Sequence, residues 1–296
     1  MNLLDAYKAD LELRGHAQTT LVSEMCRIQN YLTWLGKDPA MVTREDLKAY
    51  LQNLRKDGQK SATIAKTFST INVFHDWLEE EGLSSANPVR AIRKKYLQSY
   101  KPDSESRQII SIEQAAQIVA STIDTRDRAL LLLLLKTGIR RGELASLDAS
   151  DVSLDGLSIA LKPTAKRSNR IVFFDHETQA ALRRWLKTRE RRAGNESALF
   201  LTQIGQRLRE RSIWMVIVKA AERVGLHTSG APLEKRFGPH CCRHFFTTHL
   251  LRSGMSREHV KWLRGDVMRE AIDIYNHISP DDVKRSYLAH IPQLGV

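Results

Sequence analysis

The sequence predicts a mainly α-helical protein of two domains, with a small antiparallel β-sheet in the second domain. Apolar residues recur at helical spacing over most of the chain. Only between residues 151 and 174 does the pattern change to the short apolar alternations typical of strands. At 296 residues the chain is long enough for two domains that each bury a core of their own.

The first domain is predicted over residues 1–96 as a bundle of four helices with short connections. The third helix has a clear start, because Thr43 and Asp46 have the spacing of a capping box. The fourth helix begins at Ser61 and ends before Asn87-Pro88. Residues 97–108 are polar and lack periodicity, so they are predicted as a linker, and residues 109–296 as the second domain.

The second domain is predicted to open with a helix that Ser111 caps. A strongly apolar helix follows over residues 127–136 and ends at Thr137-Gly138. Short strands on both sides of residues 162–169 predict a small antiparallel sheet whose turn is basic. Further helices are predicted over 176–193, 206–224, from about His240 onwards, and over 281–290.

Composition favours a polyanionic partner. The net charge is +12 and the pI is about 9.7, with most of the excess after residue 100. No run of 18 apolar residues occurs, so no membrane segment is expected. The N-terminus shows no secretory pattern, and three cysteines do not form a disulfide framework. These features predict a cytoplasmic protein in a reducing compartment.

Residues 238–277 contain the most informative pattern. His240 and Arg243 are spaced i, i+3 at a helix start that Pro239 favours, where backbone N–H groups and the helix dipole attract anions. Asp266 and Tyr275 follow in the stretch RGD-x8-YxH. Further upstream, TGIRRGEL places Arg140 and Glu143 on one helical face, where the carboxylate can orient the guanidinium.

These boxes resemble those of the tyrosine site-specific recombinases, the family that includes the phage integrases and the Xer proteins. The family pattern HxLRHxxAT corresponds to His240-Cys241-Cys242-Arg243-His244 with Thr247 and Thr248 behind it. The pattern LGHxxxxTTxxYxH corresponds to Arg264-Gly265-Asp266 followed by Tyr275-Asn276-His277. The resemblance implies an N-terminal core-binding, SAM-like bundle that clasps DNA and a helical catalytic domain with a small sheet.

The resemblance also implies a set of catalytic residues. Tyrosine would attack a DNA phosphodiester and form a covalent 3′-phosphotyrosine bond, which a 5′-hydroxyl later reverses without ATP. Two arginines would stabilise the phosphate charge, a histidine would handle the tyrosine proton and a lysine would protonate the leaving oxygen. No metal or other cofactor is expected. The catalytic set is Arg140, Lys166, His240, Arg243, Asp266 and Tyr275, with Glu143 in support.

Several alternatives stay open on the sequence. Lys162 is the reserve for Lys166, because neither has the usual spacing to Arg170. Asp266 stands where the family most often has His or Trp, so that it could instead orient His240 or an arginine, or be protonated. Tyr287 is the other plausible nucleophile. A zinc site at His240, Cys241, Cys242 and His244 is disfavoured because adjacent cysteines on a helix point apart.

The resemblance implies that the partner is double-stranded DNA, bound by a homo-oligomer that is a tetramer in the synapse. Basic and hydroxyl side chains near helix starts or the predicted hairpin are the expected DNA contacts: Lys60, Ser61, Thr63, Lys66, Arg93, Lys94, Arg167, Arg207, Arg209 and Arg211. A mobile-element integrase and a Xer-like dimer resolvase fit equally well. The competing hypotheses are a DNA-binding protein that has lost turnover and a relaxing topoisomerase.

Overall fold

The computed structural model describes residues 2–97, 108–163, 171–266 and 278–296. The chain forms two compact units, Met1–Glu105 and Ser106–Val296. The division falls inside the segment 97–108 that the sequence predicts as a linker, and the domain boundaries stay a prediction. Within the described ranges, no helix is both long enough and apolar enough to cross a membrane.

The first unit is entirely helical over its described residues. Its helices are α1 (Leu3–Leu13), α2 (Gln18–Leu35), α3 (Arg44–Lys56), α4 (Ser61–Glu80) and the short α5 (Val89–Ile92). A 3₁₀ turn at Pro39–Met41 precedes α3, and a π-helical turn at Arg93–Leu97 continues α5. The predicted four-helix bundle is thus confirmed, with one short helix added.

Local sequence explains how α3 begins, and aromatic packing explains how the bundle holds together. The Thr43 hydroxyl accepts a hydrogen bond from Asp46 N, and the Asp46 carboxylate accepts one from Thr43 N, so the predicted capping box is confirmed. In the core, the Tyr31 hydroxyl lies 3.0 Å from Nε2 of His75. Burial lowers the pKa of His75 to about 4, so this pair is neutral near pH 7.

The second unit is mainly helical and has one small sheet. Its helices over the described residues are α6 (Ile112–Ala120), α7 (Thr125–Thr137), α8 (Arg141–Ser146), α9 (His176–Glu190), α10 (Glu210–Arg223), α11 (Pro239–Arg252), α12 (Arg257–Arg264) and α13 (Pro280–His290). Short 3₁₀ turns occur at Ala149–Asp151 and Leu233–Lys235. The predicted starts of α6, α11 and α13 agree with the structure to within a residue or two.

The predicted antiparallel sheet is confirmed. Strands β1 (Val152–Ser153), β2 (Ser158–Ala160) and β3 (Ile171–Phe173) pair in the order β1-β2-β3. The register places Ile159 opposite both Val152 and Val172. The basic tip of the hairpin, residues 164–170, lies outside the described residues.

The helix predicted to start at residue 206 starts at Glu210 instead. Residues 206–208 are used in a short β-bridge, in which Thr202 N donates to Gln206 O and Leu208 N donates to Phe200 O, and Arg209 is the N-cap of α10. Local backbone pairing therefore overrides the helical pattern over these residues. The preceding helix, α9, likewise ends at Glu190, three residues earlier than predicted.

Two hydrophobic cores support the second unit. The larger one is built around α7, whose residues 129–137 are all buried. The smaller one joins α11, α12 and α13 with β3 through Phe173, Phe246, Leu250, Met255, Val260, Leu263, Val283, Tyr287 and Ile291. Helices α11 and α12 are therefore held against each other by apolar burial, which positions the polar groups at their ends.

Candidate active site

A cleft in the second unit, with a volume of about 450 Å³, brings together side chains from distant parts of the chain. Arg140 enters it from the start of α8, and His240 and Arg243 enter it from the first turns of α11. The remaining walls come mainly from the start of α10 and from the loop before α11: Glu210, Trp214, His227, Leu233 and Arg236. Two forked guanidinium groups and an imidazole in one cleft are suited to bind a phosphate.

Arg140 is held by a carboxylate from its own helix. The residue occupies the N-cap of α8, and its backbone N–H donates to Glu143 Oε2 at 2.7 Å. Its Nη1 donates to the other oxygen of Glu143 at 3.1 Å. The Glu143 side chain is buried, whereas that of Arg140 is 34% exposed. Glu143 therefore fixes both the backbone and the guanidinium of Arg140, as the i, i+3 spacing predicted.

Arg243 is held by backbone carbonyl groups from two helix ends. Its Nη1 donates to Gly138 O at 2.7 Å, and its Nη2 donates to Arg264 O at 2.8 Å. Gly138 is the C-cap of α7 and Arg264 is the last residue of α12, so both carbonyls lie at the negative end of a helix dipole. The Arg243 side chain is only 13% exposed. The sequence did not predict either contact.

Both the backbone conformation and a close contact require glycine at position 138. Its φ is +61°, in the left-handed region, where it ends α7. A Cβ at this position would also lie 2.4 Å from Cδ1 of Phe246, on the helix that carries Arg243. A side chain here would therefore push α11 away from the carbonyl that Arg243 binds.

Asp266, which the sequence placed among the catalytic residues, contacts two arginines. Its Oδ1 lies 3.6 Å from Nη2 of Arg243, and its Oδ2 lies 3.2 Å from Nε of Arg264. The carboxylate is about one-third exposed. The sequence left His240 or an arginine open as its partner, and the structure shows contacts with Arg243 and Arg264.

His240 and its neighbours divide between the cleft and the core. The His240 side chain is exposed and lines the cleft. Cys241 and Cys242 are fully buried, and burial raises the pKa of the Cys242 thiol. His244 is exposed. The four candidate zinc ligands therefore split between surface and core, as helical geometry requires.

Lys162 and Arg207 meet at Asp148, after the end of α8. Lys162 Nζ lies 2.5 Å from Asp148 Oδ2, and Arg207 pairs with the other carboxylate oxygen. Arg207 also donates to the carbonyl oxygens of Ala145 and Leu147. Hydrogen bonds from Lys162 and then Arg207 hold the pKa of the Asp148 carboxyl well below its usual range. Arg207, predicted as a DNA contact, thus has its guanidinium engaged within the domain.

Of the two tyrosines considered as nucleophile, only Tyr287 lies within the described residues. Tyr287 is fully buried and its hydroxyl donates to Lys136 O at 2.9 Å. Burial raises the pKa of the Tyr287 phenol well above its ordinary value, so the group is neither accessible nor ionisable near neutral pH. Tyr275 lies outside the described residues, and so do Lys166 and Arg167.

The other predicted DNA contacts are found at helix starts or in a surface pocket. Lys60, Ser61, Thr63 and Lys66 are exposed at the start of α4. Arg93 and Lys94 line a surface pocket of the first unit beside Asn72 and Arg90. Arg209 and Arg211 are exposed at the start of α10.

Several residues of the cleft wall were missed on the sequence, among them Arg141, Glu210 and Arg236. Arg141 Nε donates to Glu210 Oε2 at 2.9 Å, so the second arginine of TGIRRGEL is paired across to α10. Arg236 comes from the loop before α11, which the sequence treated only as a connection. The basic pair Lys235-Arg236, shortly before His240, was the available signal for this wall.

Comparison with known proteins agrees with this geometry. The phage integrase family matches residues 104–281, and the phage integrase N-terminal SAM-like domain matches residues 4–82. The chain is 31% identical to the tyrosine recombinase XerD of Corynebacterium glutamicum, over 95% of this chain and 94% of that protein.

Two solved structures of DNA complexes share the fold. One is the Tn1549 transposon integrase with transposon right end DNA, with a TM-score of 0.71, 18% identity and coverage of 96% of this chain and 98% of that one. The other is a lambda integrase dimer bound to a core site, with a TM-score of 0.70, 18% identity and coverage of 92% and 75%. The family match spans more than half of the chain. The chain therefore belongs to the phage integrase family and is a tyrosine recombinase.

Proposed function

We propose that this recombinase cuts and rejoins double-stranded DNA through a covalent 3′-phosphotyrosine bond formed by Tyr275. The observation that carries the proposal is the convergence of Arg140, His240 and Arg243 in one cleft, with both guanidinium groups fixed by the protein. Preorganised donors aimed at a phosphate stabilise the charge that develops on its oxygens during attack.

Tyr275 is supported as the nucleophile by the motif and by the path of the chain. Helix α12 ends beside Arg243, and the chain leaves it through Asp266. Tyr275 follows nine residues later, at the spacing that the family pattern has. The rival Tyr287 is buried under α11, where DNA has no access.

Two further residues complete the proton transfers. The exposed imidazole of His240 accepts the Tyr275 proton or binds a non-bridging oxygen of the phosphate. Lys166, which lies in the sequence between β2 and β3, protonates the 5′-oxygen that leaves. Lys162 is engaged by Asp148, which favours Lys166 for this role. Strand β3, which follows Lys166 in the chain, is anchored through Phe173 to the core formed with α11 and α12.

The DNA surface is proposed to include the exposed basic starts of two helices. Lys60 and Lys66 at α4, and Arg209 and Arg211 at α10, present cations beside backbone N–H groups that phosphates bind readily. Arg207 is left out of this set because Asp148 and two backbone carbonyls use its guanidinium. Phosphate contacts of this kind position DNA without reading its sequence.

The biological role is either integration and excision of a mobile element or Xer-like resolution of dimers. We propose a tetramer on two duplexes, since exchange joins strands from two cut sites. A cytoplasmic location fits this role, and the three cysteines are free thiols, as in a reducing compartment.

The test is a covalent-adduct assay on purified protein. Wild type, Tyr275→Phe and the control Tyr287→Phe are each incubated with a supercoiled library of source-genome fragments, then quenched in detergent. Adducts with wild type and Tyr287→Phe, but not with Tyr275→Phe, are expected. An adduct that survives Tyr275→Phe would contradict the nucleophile. If wild type binds the library and forms no adduct, the fold has kept binding and lost turnover.

A further inference from the structure

The end of α12 and the turn that follows it depart from the family pattern at two positions at once. Where the pattern reads Leu-Gly-His, this chain reads Arg264-Gly265-Asp266. An apolar residue has become a cation, and a hydrogen-bond donor has become an anion. Only the glycine between them is unchanged, and it ends α12 in the left-handed conformation with a φ of 64°.

The two changed residues contact each other and the active-site arginine. The turn at Gly265 brings Oδ2 of Asp266 to 3.2 Å from Nε of Arg264. The other carboxylate oxygen lies 3.6 Å from Nη2 of Arg243. The turn itself is anchored, because Asp266 N donates to Lys261 O and Arg264 O accepts from Arg243. The carboxylate thus lies between two guanidinium groups.

Charge explains why the two changes belong together. A carboxylate beside Arg243 cancels part of the positive potential that the arginine directs at a phosphate, and by itself it would also repel that phosphate. A second guanidinium on the far side of the carboxylate restores the lost charge. Arg243, Asp266 and Arg264 together keep one net positive charge, whereas Arg243 with Asp266 alone would have none.

We propose that Arg264 and Asp266 act as one unit, in place of the single hydrogen-bond donor that the family pattern has at the position of Asp266. Asp266 is a positioning residue that holds Arg243, and Arg264 offsets the charge that this clamp introduces. This inference rests on the proposed function, in which Arg243 stabilises the phosphate. It predicts that Asp266 is tolerated beside Arg243 only in the presence of Arg264.

The test is a double-variant cycle read by cleavage rate and DNA affinity. Arg264→Met, Asp266→Asn and the combined variant are compared with wild type on the fragment that gives the wild-type adduct. Single-turnover adduct formation and equilibrium binding are measured in one buffer. Thermal melting confirms that each variant is folded.

Arg264→Met is expected to slow adduct formation by roughly tenfold to a hundredfold, because the carboxylate then neutralises Arg243. Adding Asp266→Asn to Arg264→Met is expected to recover part of the lost rate, since it removes the uncompensated charge. DNA affinity is expected to change by less than about threefold throughout, as the charges lie at one phosphate among many. Arg264→Lys, which keeps the charge, is expected to retain more rate than Arg264→Met.

Three results would overturn the proposal. A combined variant no faster than Arg264→Met would show that the two residues act independently. A parallel loss of rate and DNA affinity in Arg264→Met would make Arg264 an ordinary DNA contact. Absence of a wild-type adduct would contradict the proposed function and this inference with it. The first two results, in contrast, would contradict this inference alone.

Discussion

Arg140 and Arg243, the two arginines proposed to bind the phosphate, are held by different parts of the molecule. Arg140 is held by Glu143, three residues away on the same helix, and a third of its side chain is exposed. Arg243 is held by the carbonyl groups of Gly138 and Arg264, from two other helices, and it is largely buried. The contacts that hold Arg140, here called the Arg140 seat, are local and ionic. The contacts that hold Arg243, the Arg243 seat, come from the packing of segments that are far apart in the chain.

This difference shows that the two arginines depend on the fold to different degrees. The Arg140 seat forms whenever α8 forms, because its donor and acceptor share one turn of helix. The Arg243 seat requires α7, α11 and α12 to be packed together with their ends in register. Changes in the core should therefore damage the Arg243 seat first.

The largest expected effect comes from Lys136, which lies in α7 just before the Arg243 seat. Its buried ammonium donates to Asp175, Glu177 and the carbonyl of Pro292, each at 2.6 Å. Lys136→Met leaves two carboxylates without their cation and is expected to cost about 3–5 kcal/mol of unfolding free energy. The exposed Lys219→Met should stay within about 0.5 kcal/mol. Urea denaturation of both variants measures this, and equal losses would contradict the assignment.

Lysine substitution compares the two seats directly. Lysine cannot donate to two carbonyl groups with a rigid fork, so Arg243→Lys is expected to slow adduct formation by about 10²–10³-fold. Arg140→Lys should lose less, because the Glu143 carboxylate can still pair with an ammonium group. The two variants are compared by their single-turnover cleavage rates, and their DNA affinities are measured as a control. A larger loss in Arg140→Lys would reverse the comparison.

Gly138→Ala tests the Arg243 seat without touching an arginine. The strained φ and the contact with Phe246 are together expected to cost about 2–5 kcal/mol of unfolding free energy. Gly225→Ala is the matched control, since Gly225 has a φ of +72° and no neighbouring atom within 4 Å of an added Cβ. Its loss should be only about 1–2 kcal/mol. If thermal or urea unfolding shows equal losses, the Phe246 contact is unimportant.

Glu143→Gln tests the Arg140 seat. The amide group can keep one of the two hydrogen bonds and loses the negative charge, so adduct formation is expected to slow by about tenfold. The exposed Glu190→Gln is the control. Stability should change little, which chemical denaturation verifies. A cleavage rate equal to wild type would show that Glu143 only caps α8.

The smallest effect expected is a pH dependence of stability at the Lys136 cluster. Burial would raise the pKa of Glu177, but hydrogen bonds from Lys136 and from the backbone of Leu294 and Gly295 leave it below its ordinary value. A lowered folded-state pKa adds stability above the unfolded-state value, about 4.3, and this is lost as the pH falls below it. Glu177→Gln should flatten that part of the stability curve between about pH 5 and 3. An unchanged slope would contradict it.

Patterns within one turn of helix could be predicted before the fold was known. The capping boxes at Thr43 and Ser111, the pairing of Arg140 with Glu143 and the face shared by His240 and Arg243 all follow from i, i+3 spacing. The two-part helical fold and the small sheet follow from apolar periodicity, and the membership in the family follows from the three boxes.

Packing decided the contacts between segments far apart in the chain. Spacing along the chain does not reveal that Arg243 binds Gly138 and Arg264, or that Asp266 faces two arginines, because these contacts depend on how α7, α11 and α12 meet. The burial of Tyr287 has the same origin. Residue types and local spacing thus specify which groups can react, while the packing of the cores determines which of them meet.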